Sequence, residues 1–161
     1  MAVGEGYPDE GTTTEAAMDT RQPASSRLQG VAFDFEPRYR PLLRLLGVRP
    51  ETAQVVVGAQ VLRVRFGLWW LETTLDNVTD VTLTGPFRAI KAIGPHLSLA
   101  DRGVTFGTTT RAGVCLTFRE PVGALAGRRW LRHPGATLTV QDPSGFAQLV
   151  RVRAGLDLRE G

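Results

Sequence analysis

The chain has 161 residues, 42% of them apolar, which suits one domain with a real core plus a tail. A single cysteine, Cys115, excludes an intrachain disulfide and a cysteine-rich metal centre. The net charge of +3 conceals an asymmetry: residues 1–20 carry Glu5, Asp9, Glu10, Glu15 and Asp19 and no basic residue, a charge of −5, and the other 141 residues carry 19 basic and 11 acidic groups, a net of +8.

Lys91 is the only lysine among those 19 basic groups, so the basicity reads first as compositional background and solvated surface. A nucleic acid, an anionic membrane or the chain's own acidic tail are the partners such a charge would admit. No basic region followed by an apolar stretch opens the chain, and no apolar run nears the roughly 18–20 residues of a membrane span. A soluble, cytoplasmic protein is expected, at the membrane periphery if it binds lipid.

Met1 to Ser26 is rich in Gly, Thr, Glu, Pro and Ala without an apolar period, and is expected to be disordered. Residues 31–36 (VAFDFE) alternate, with Val31, Phe33 and Phe35 on one face of a strand that Pro37 ends. Residues 38–46 (RYRPLLRLL) predict a short helix or turn, its apolar cluster Leu42, Leu45 and Leu46 at i, i+3, i+4, closed by Gly47. Residues 53–57 and 60–66 predict a hairpin around Gly58-Ala59, in which Leu62, Val64 and Phe66 alternate with Arg63 and Arg65. Strands follow at 69–75 and 78–84, the second with Val81 and Leu83 on one face and Thr82 and Thr84 on the other.

Phe87, Ile90 and Ile93 at spacings of three suggest one or two helical turns before Gly94-Pro95. His96 to Leu99 is extended, and Ala100 to Gly103 is a turn with the positive φ placed at Gly103. Residues 104–108 and 114–118 predict another hairpin across Thr109–Gly113. A Gly-rich loop runs from Pro121 to Gly135, and Ala136 to Val140 is the last strand. Asp142-Pro143 sets up a closing helix, with Asp142 as N-cap and Phe146, Leu149 and Val150 on its apolar face. Leu156 to Gly161 is expected to fray.

Motifs that carry chemistry are scarce. The two histidines, His96 and His133, each adjoin a proline. A thiol nucleophile built from Cys115, a histidine and Asp101 would need them together, and nothing in the sequence does this; a packed thiol and two loop histidines are favoured. The same histidines with Asp80 or Asp101 have no tight metal-ligand spacing, and no phosphate-loop pattern occurs. No cofactor is expected.

Three surfaces stand out. Trp69 and Trp70 are adjacent in a strand, so they point to opposite faces. Either Trp70 is exposed with Glu72 and Thr74, as a partner-facing residue would be, or both are buried, one inside and one under the Leu42–Leu46 segment. Arg88 and Lys91 share a helical face. Arg128, Arg129 and Arg132 surround Trp130, a composition suited to phosphate groups or a membrane surface, or to an ordinary solvated loop. No nucleic-acid-binding signature appears.

The runs VLRVRFGLWWLETTLDNVTDVTLTG, LSLADRGVTFGT and GVCLTF, with the ending HPGATLTVQDPSGFAQLV, resemble bacterial PH-like domains. Residues 31–152 also resemble a group of actinobacterial conserved proteins of unknown function. The resemblance covers about three quarters of the chain and departs from the family pattern at RYRPLLRLLG. It implies a small antiparallel β-barrel or sandwich of seven or eight strands over 27–161, a closing helix, and a binding role for lipids, peptides or proteins.

The expected function is therefore a non-enzymatic module that binds a protein or peptide. The alternatives are peripheral binding of anionic lipid through the Arg128–Arg132 loop, and a small barrel carrying an apolar ligand. The candidate residues are Trp70, Arg88, Lys91, Arg128, Arg129, Trp130 and Arg132.

Overall fold

The computed structural model describes residues 27–87, 93–97, 102–124 and 132–157. The acidic tail, most of the segment between Phe87 and Ile93, the centre of the Gly-rich loop and the last four residues lie outside the described residues.

The alternating patterns between residues 29 and 74 form a four-stranded antiparallel sheet, β1 (Gln29–Ala32), β2 (Ala53–Val57), β3 (Val61–Phe66) and β4 (Trp69–Thr74), in that spatial order. Its inward residues include Val55, Val57, Leu62, Phe66 and Leu71, all nearly inaccessible. Full burial of such side chains is worth about 1.5–3 kcal/mol each. The β3–β4 turn needs Gly67, whose φ is +63° and whose missing Cβ would stand 2.9 Å from the Gly47 carbonyl oxygen. That turn therefore rests on the loop that follows α1 (Arg40–Leu45).

The second sheet contains β5 (Val78–Thr84), β6 (Gly94–Leu97), β7 (Val104–Gly107), β8 (Gly113–Gly123) and β9 (Arg132–Leu138), in the order β5-β8-β9-β7-β6. Single bridges link the two sheets, Phe33 with Val140 and Leu71 with Ala124. The sheets share one core. In it Phe66 meets Phe33 edge-on at 5.1 Å and Phe106 at 5.4 Å between ring centroids.

The closing helix α2 (Pro143–Ala154) starts where the sequence places it: the Asp142 carboxylate accepts from the Gly145 N–H at 2.9 Å. Gly155, at φ 67°, ends it. Phe146 and Val150 are buried and Leu149 is half-buried against the core. Arg153 donates to the carbonyls of Val57 and Gly58 at 2.6 and 2.8 Å, and Arg151 donates to that of Val81 at 2.5 Å, so the helix is tied to both sheets.

Several expectations need correction. The described residues form nine strands rather than seven or eight, and β7 with β9 is a parallel pair. The hairpin expected from 104–108 and 114–118 is absent, because β9 lies between β7 and β8. The intervening threonines explain it, since they bond away from a tight turn. The Thr108 hydroxyl donates to the Asp34 carbonyl at 2.6 Å, and Glu36 Oε2 accepts from the Thr109 hydroxyl at 3.3 Å and from the Thr110 N–H and hydroxyl at 3.1 Å.

β1 ends at Ala32, four residues short of the expected limit, and Phe33 continues only as a bridge. The Pro121–Gly135 loop is shorter than expected, since β8 runs to Gly123 and β9 begins at Arg132. Gly94 and Pro95 belong to β6 rather than breaking the chain before it. The positive φ expected at Gly103 falls on Arg102, at 57°.

Two apolar faces also differ. In α1 it is Leu43 that is buried, while Leu42, Leu45 and Leu46 are 50%, 84% and 36% exposed. The helix is only six residues long and Leu43 is its one buried residue; among the described residues Leu42 and Leu45 stay uncovered, and only the side chain of Leu46 comes near another element, at Gly94 of β6. Leu83 shares a row with the buried Val114 and Leu138 but lies on the edge strand, where it remains 56% exposed.

Candidate functional site

Strand register places two rows of side chains on the outer face of the first sheet: Gly30, Val56, Arg63 and Glu72, then Ala32, Gln54, Arg65 and Trp70. Trp69 turns inward against the core, which leaves Trp70 outward and 59% exposed. The small residues of β1 keep one side of this face low, and Trp70 with Leu68, itself 74% exposed, raises the other. An open groove of about 560 Å³ runs over β2, β3 and β4, lined by Gln54, Val56, Arg65, Leu68, Trp70 and Glu72 among others.

The electrostatics of this face are uneven. Arg63 pairs with Glu72 at 2.6 Å, and both are exposed, so the pair is worth at most about 1 kcal/mol. Arg65, directly opposite Trp70, makes no ion pair among the described residues. The groove thus offers an aromatic surface, an exposed leucine and one unneutralised guanidinium. Such a surface can hold an extended apolar or acidic segment.

Comparison of the chain with protein-family models, with curated proteins and with solved structures finds no match.

Of the other sequence candidates, Arg88, Lys91, Arg128, Arg129 and Trp130 lie outside the described residues. Arg132 is exposed at the start of β9 and donates from Nε to the Pro121 carbonyl at 2.8 Å, a contact that holds β9 to β8. It belongs to the second sheet and is not part of the Trp70 face.

Asp101 of the thiol site weighed from the sequence lies outside the described residues, and Cys115 is not brought beside either histidine. Cys115, half-buried rather than packed in the core, lies in an outer row of the second sheet that runs Thr82, Cys115, Thr137, Thr105, His96. Three strand spacings, about 14 Å, separate Cys115 from His96. His133 is four residues along β9 from the partner of Cys115, about 13 Å away. It is buried, its Nδ1 bonded to the Arg102 carbonyl at 2.8 Å and its Nε2 without a partner among the described residues. No group of three or more metal-ligating side chains occurs among the described residues, and no helix there is long and apolar enough to cross a membrane.

A second concentration of charge was not singled out by the sequence reading. Residues 37–50 contain Arg38, Arg40, Arg44 and Arg49 and no acid. Arg38 pairs with Glu36 at 2.5 Å. Burial alone would push the Glu36 carboxyl up, but the Thr110 N–H and hydroxyl, the Arg38 guanidinium and the Thr109 hydroxyl outweigh it and hold the group below its ordinary value. Arg40, Arg44 and Arg49 instead line one cavity of about 200 Å³ with Phe35, Val48, Pro50 and Glu51. The acid-free arginine run is the signal of this site in the sequence, interleaved with leucines whose spacing suggests packing instead.

Proposed function

We propose that the chain is a non-enzymatic binding module that takes a segment of a partner protein on the outer face of its first sheet. The observation that carries this is Trp70, 59% exposed on an uncovered sheet face beside Leu68 and Arg65. Tryptophan and arginine dominate the energetics of protein interfaces, and a large aromatic ring left in water needs such a reason more than a scattered leucine does. The filled core, with Phe66 packed against both Phe33 and Phe106, supports a surface site over an interior one for an apolar ligand.

The finer fold is part of the same proposal. The order of a four-stranded sheet, a second sheet and a closing helix supports a small barrel of the bacterial PH-like type, with the segment 37–52 and the β6–β7 pair as additions. A cytoplasmic location goes with this reading.

The test is capture from the native lysate by the full chain beside a Trp70→Ala variant of unchanged fold. A defined protein recovered by the first and reduced at least about tenfold with the second is expected, since an interface tryptophan is worth 2 kcal/mol or more, roughly. The same proteins recovered equally by both would reject the Trp70 face.

A further inference from the structure

We infer that the cavity formed by Arg40, Arg44 and Arg49 is a binding site for a phosphate-bearing anion. Arg40 and Arg44 are one turn apart on α1 and so share a face, and Arg49 arrives from the loop that closes back on the helix. All three line the same 200 Å³ space, and none makes an ion pair or a side-chain hydrogen bond among the described residues. Glu51 is the one carboxylate in the lining and lies beyond ion-pair distance of each arginine. The site therefore carries a net charge of +2, the complement of a phosphate dianion.

Arg40, Arg44 and Arg49 are all exposed, so their mutual repulsion is screened by water, and an anion bound between them removes what remains of it. Guanidinium groups are suited to the task because each presents a planar fork of donors to phosphate oxygens. Their position is fixed from beneath: Leu43 and Val48, both buried, anchor the helix and loop that bear them. Thr52 ties the loop down further, its hydroxyl accepting from the Arg49 N–H and donating to the Gly47 carbonyl, each at 2.9 Å.

The cavity is not closed at the far side. Phe35, Arg40 and Pro50 also line an adjoining space of about 380 Å³ that reaches Ala32 and Gln141. The organic part of a phosphorylated molecule fits there, against Phe35. The exposed Leu42 and Leu45 on the same short helix, with Leu46 at its end, make a lipid headgroup one source of the phosphate and a soluble phosphorylated metabolite the other. This site shares no residue with the Trp70 groove, so it stands or falls independently of the proposed partner face.

The experiment titrates the full-length chain with inorganic phosphate and pyrophosphate by calorimetry at constant ionic strength, and with vesicles of phosphatidylcholine with and without phosphatidic acid. An Arg40→Gln, Arg44→Gln double variant and a control at the exposed Arg119 of β8, Arg119→Gln, are run beside it. The expected result is binding of at least one probe, weakened about tenfold or more in the double variant and unchanged in Arg119→Gln. Binding of the soluble anions alone assigns a free phosphorylated ligand, and binding of the phosphatidic acid vesicles alone or in addition assigns a headgroup. The inference is overturned if the folded wild type binds none of these probes, if the double variant binds as well as wild type, or if chloride at equal ionic strength displaces phosphate as effectively as phosphate itself.

Discussion

Replacing Leu43 by Ala, beside Leu45→Ala as its partner experiment, tests which face of α1 belongs to the core. Leu43 is the one buried residue of that six-residue helix and is fully inaccessible, whereas Leu45 is 84% exposed. Leu→Ala at a buried site costs the transfer free energy of the lost carbons plus that of the cavity, about 2–5 kcal/mol. Because α1 is short and held at one point, it can settle partly into the space, which places the cost in the lower part of the range, about 2–3 kcal/mol. In a domain of this size that lowers Tm by roughly 5–10 °C. Leu45→Ala removes atoms already in water and changes stability by no more than about 0.5 kcal/mol. Urea unfolding measures both, with an unchanged m-value as the condition for reading the midpoint shift as stability. A larger loss for Leu45→Ala than for Leu43→Ala would restore the face read from leucine spacing and refute the placement of the helix.

Other perturbations address the remaining parts of the fold. Thr139→Val removes the hydroxyl that accepts from the buried Thr108 N–H at 2.8 Å, so unfolding free energy falls by about 1–3 kcal/mol, and the half-buried Thr137→Val serves as the near-neutral comparison. Glu36→Gln carries a pH signature. The folded carboxyl is held below its ordinary value of 4.5, so the native state binds its proton more weakly than the unfolded chain does. Its contribution is fully present above about pH 4.5 and is lost as pH falls through the lower folded value. The stability gap between wild type and variant is therefore constant near neutrality and shrinks in acid; a gap that widens there contradicts the assignment. At the start of α2 the Asp142 carboxylate fills the space a Cβ on Gly145 would need. Asp142→Ala costs about 1 kcal/mol. Gly145→Ala is near neutral in wild type, where it displaces the cap, and stabilises by about 1 kcal/mol in the Asp142→Ala background, where only helix propensity remains. Equal effects in both backgrounds would show that the cap is not made.

Much of this architecture is legible in the sequence where local chemistry and tertiary packing agree. The β2–β3 hairpin, the β3–β4 turn at Gly67 and the Asp142-Pro143 helix start follow from alternation, turn residues and capping. The misreadings fall where a long-range contact decides. The Thr108–Thr110 segment reads as a hairpin loop, yet its hydroxyls serve Asp34 and Glu36 some seventy positions earlier in the chain, which frees β9 to enter between β7 and β8. The leucine spacing in α1 signals a helix correctly, but spacing cannot say that a neighbouring element exists to cover it. Trp70 could be placed outward only once Trp69 was known to face the core, because adjacent residues in a strand exchange faces together. The arginines of 40–49 converge through a loop closure that no linear pattern displays.

The most direct test of the Trp70 face is site-specific photo-crosslinking in native cells. A photoreactive residue is placed at position 70, on the outer face of the first sheet, and in a separate protein at position 82, exposed on the second sheet. A discrete cross-linked partner from position 70 and none from position 82 is the predicted result. The same adducts from both positions, or adducts from position 82 alone, would contradict it.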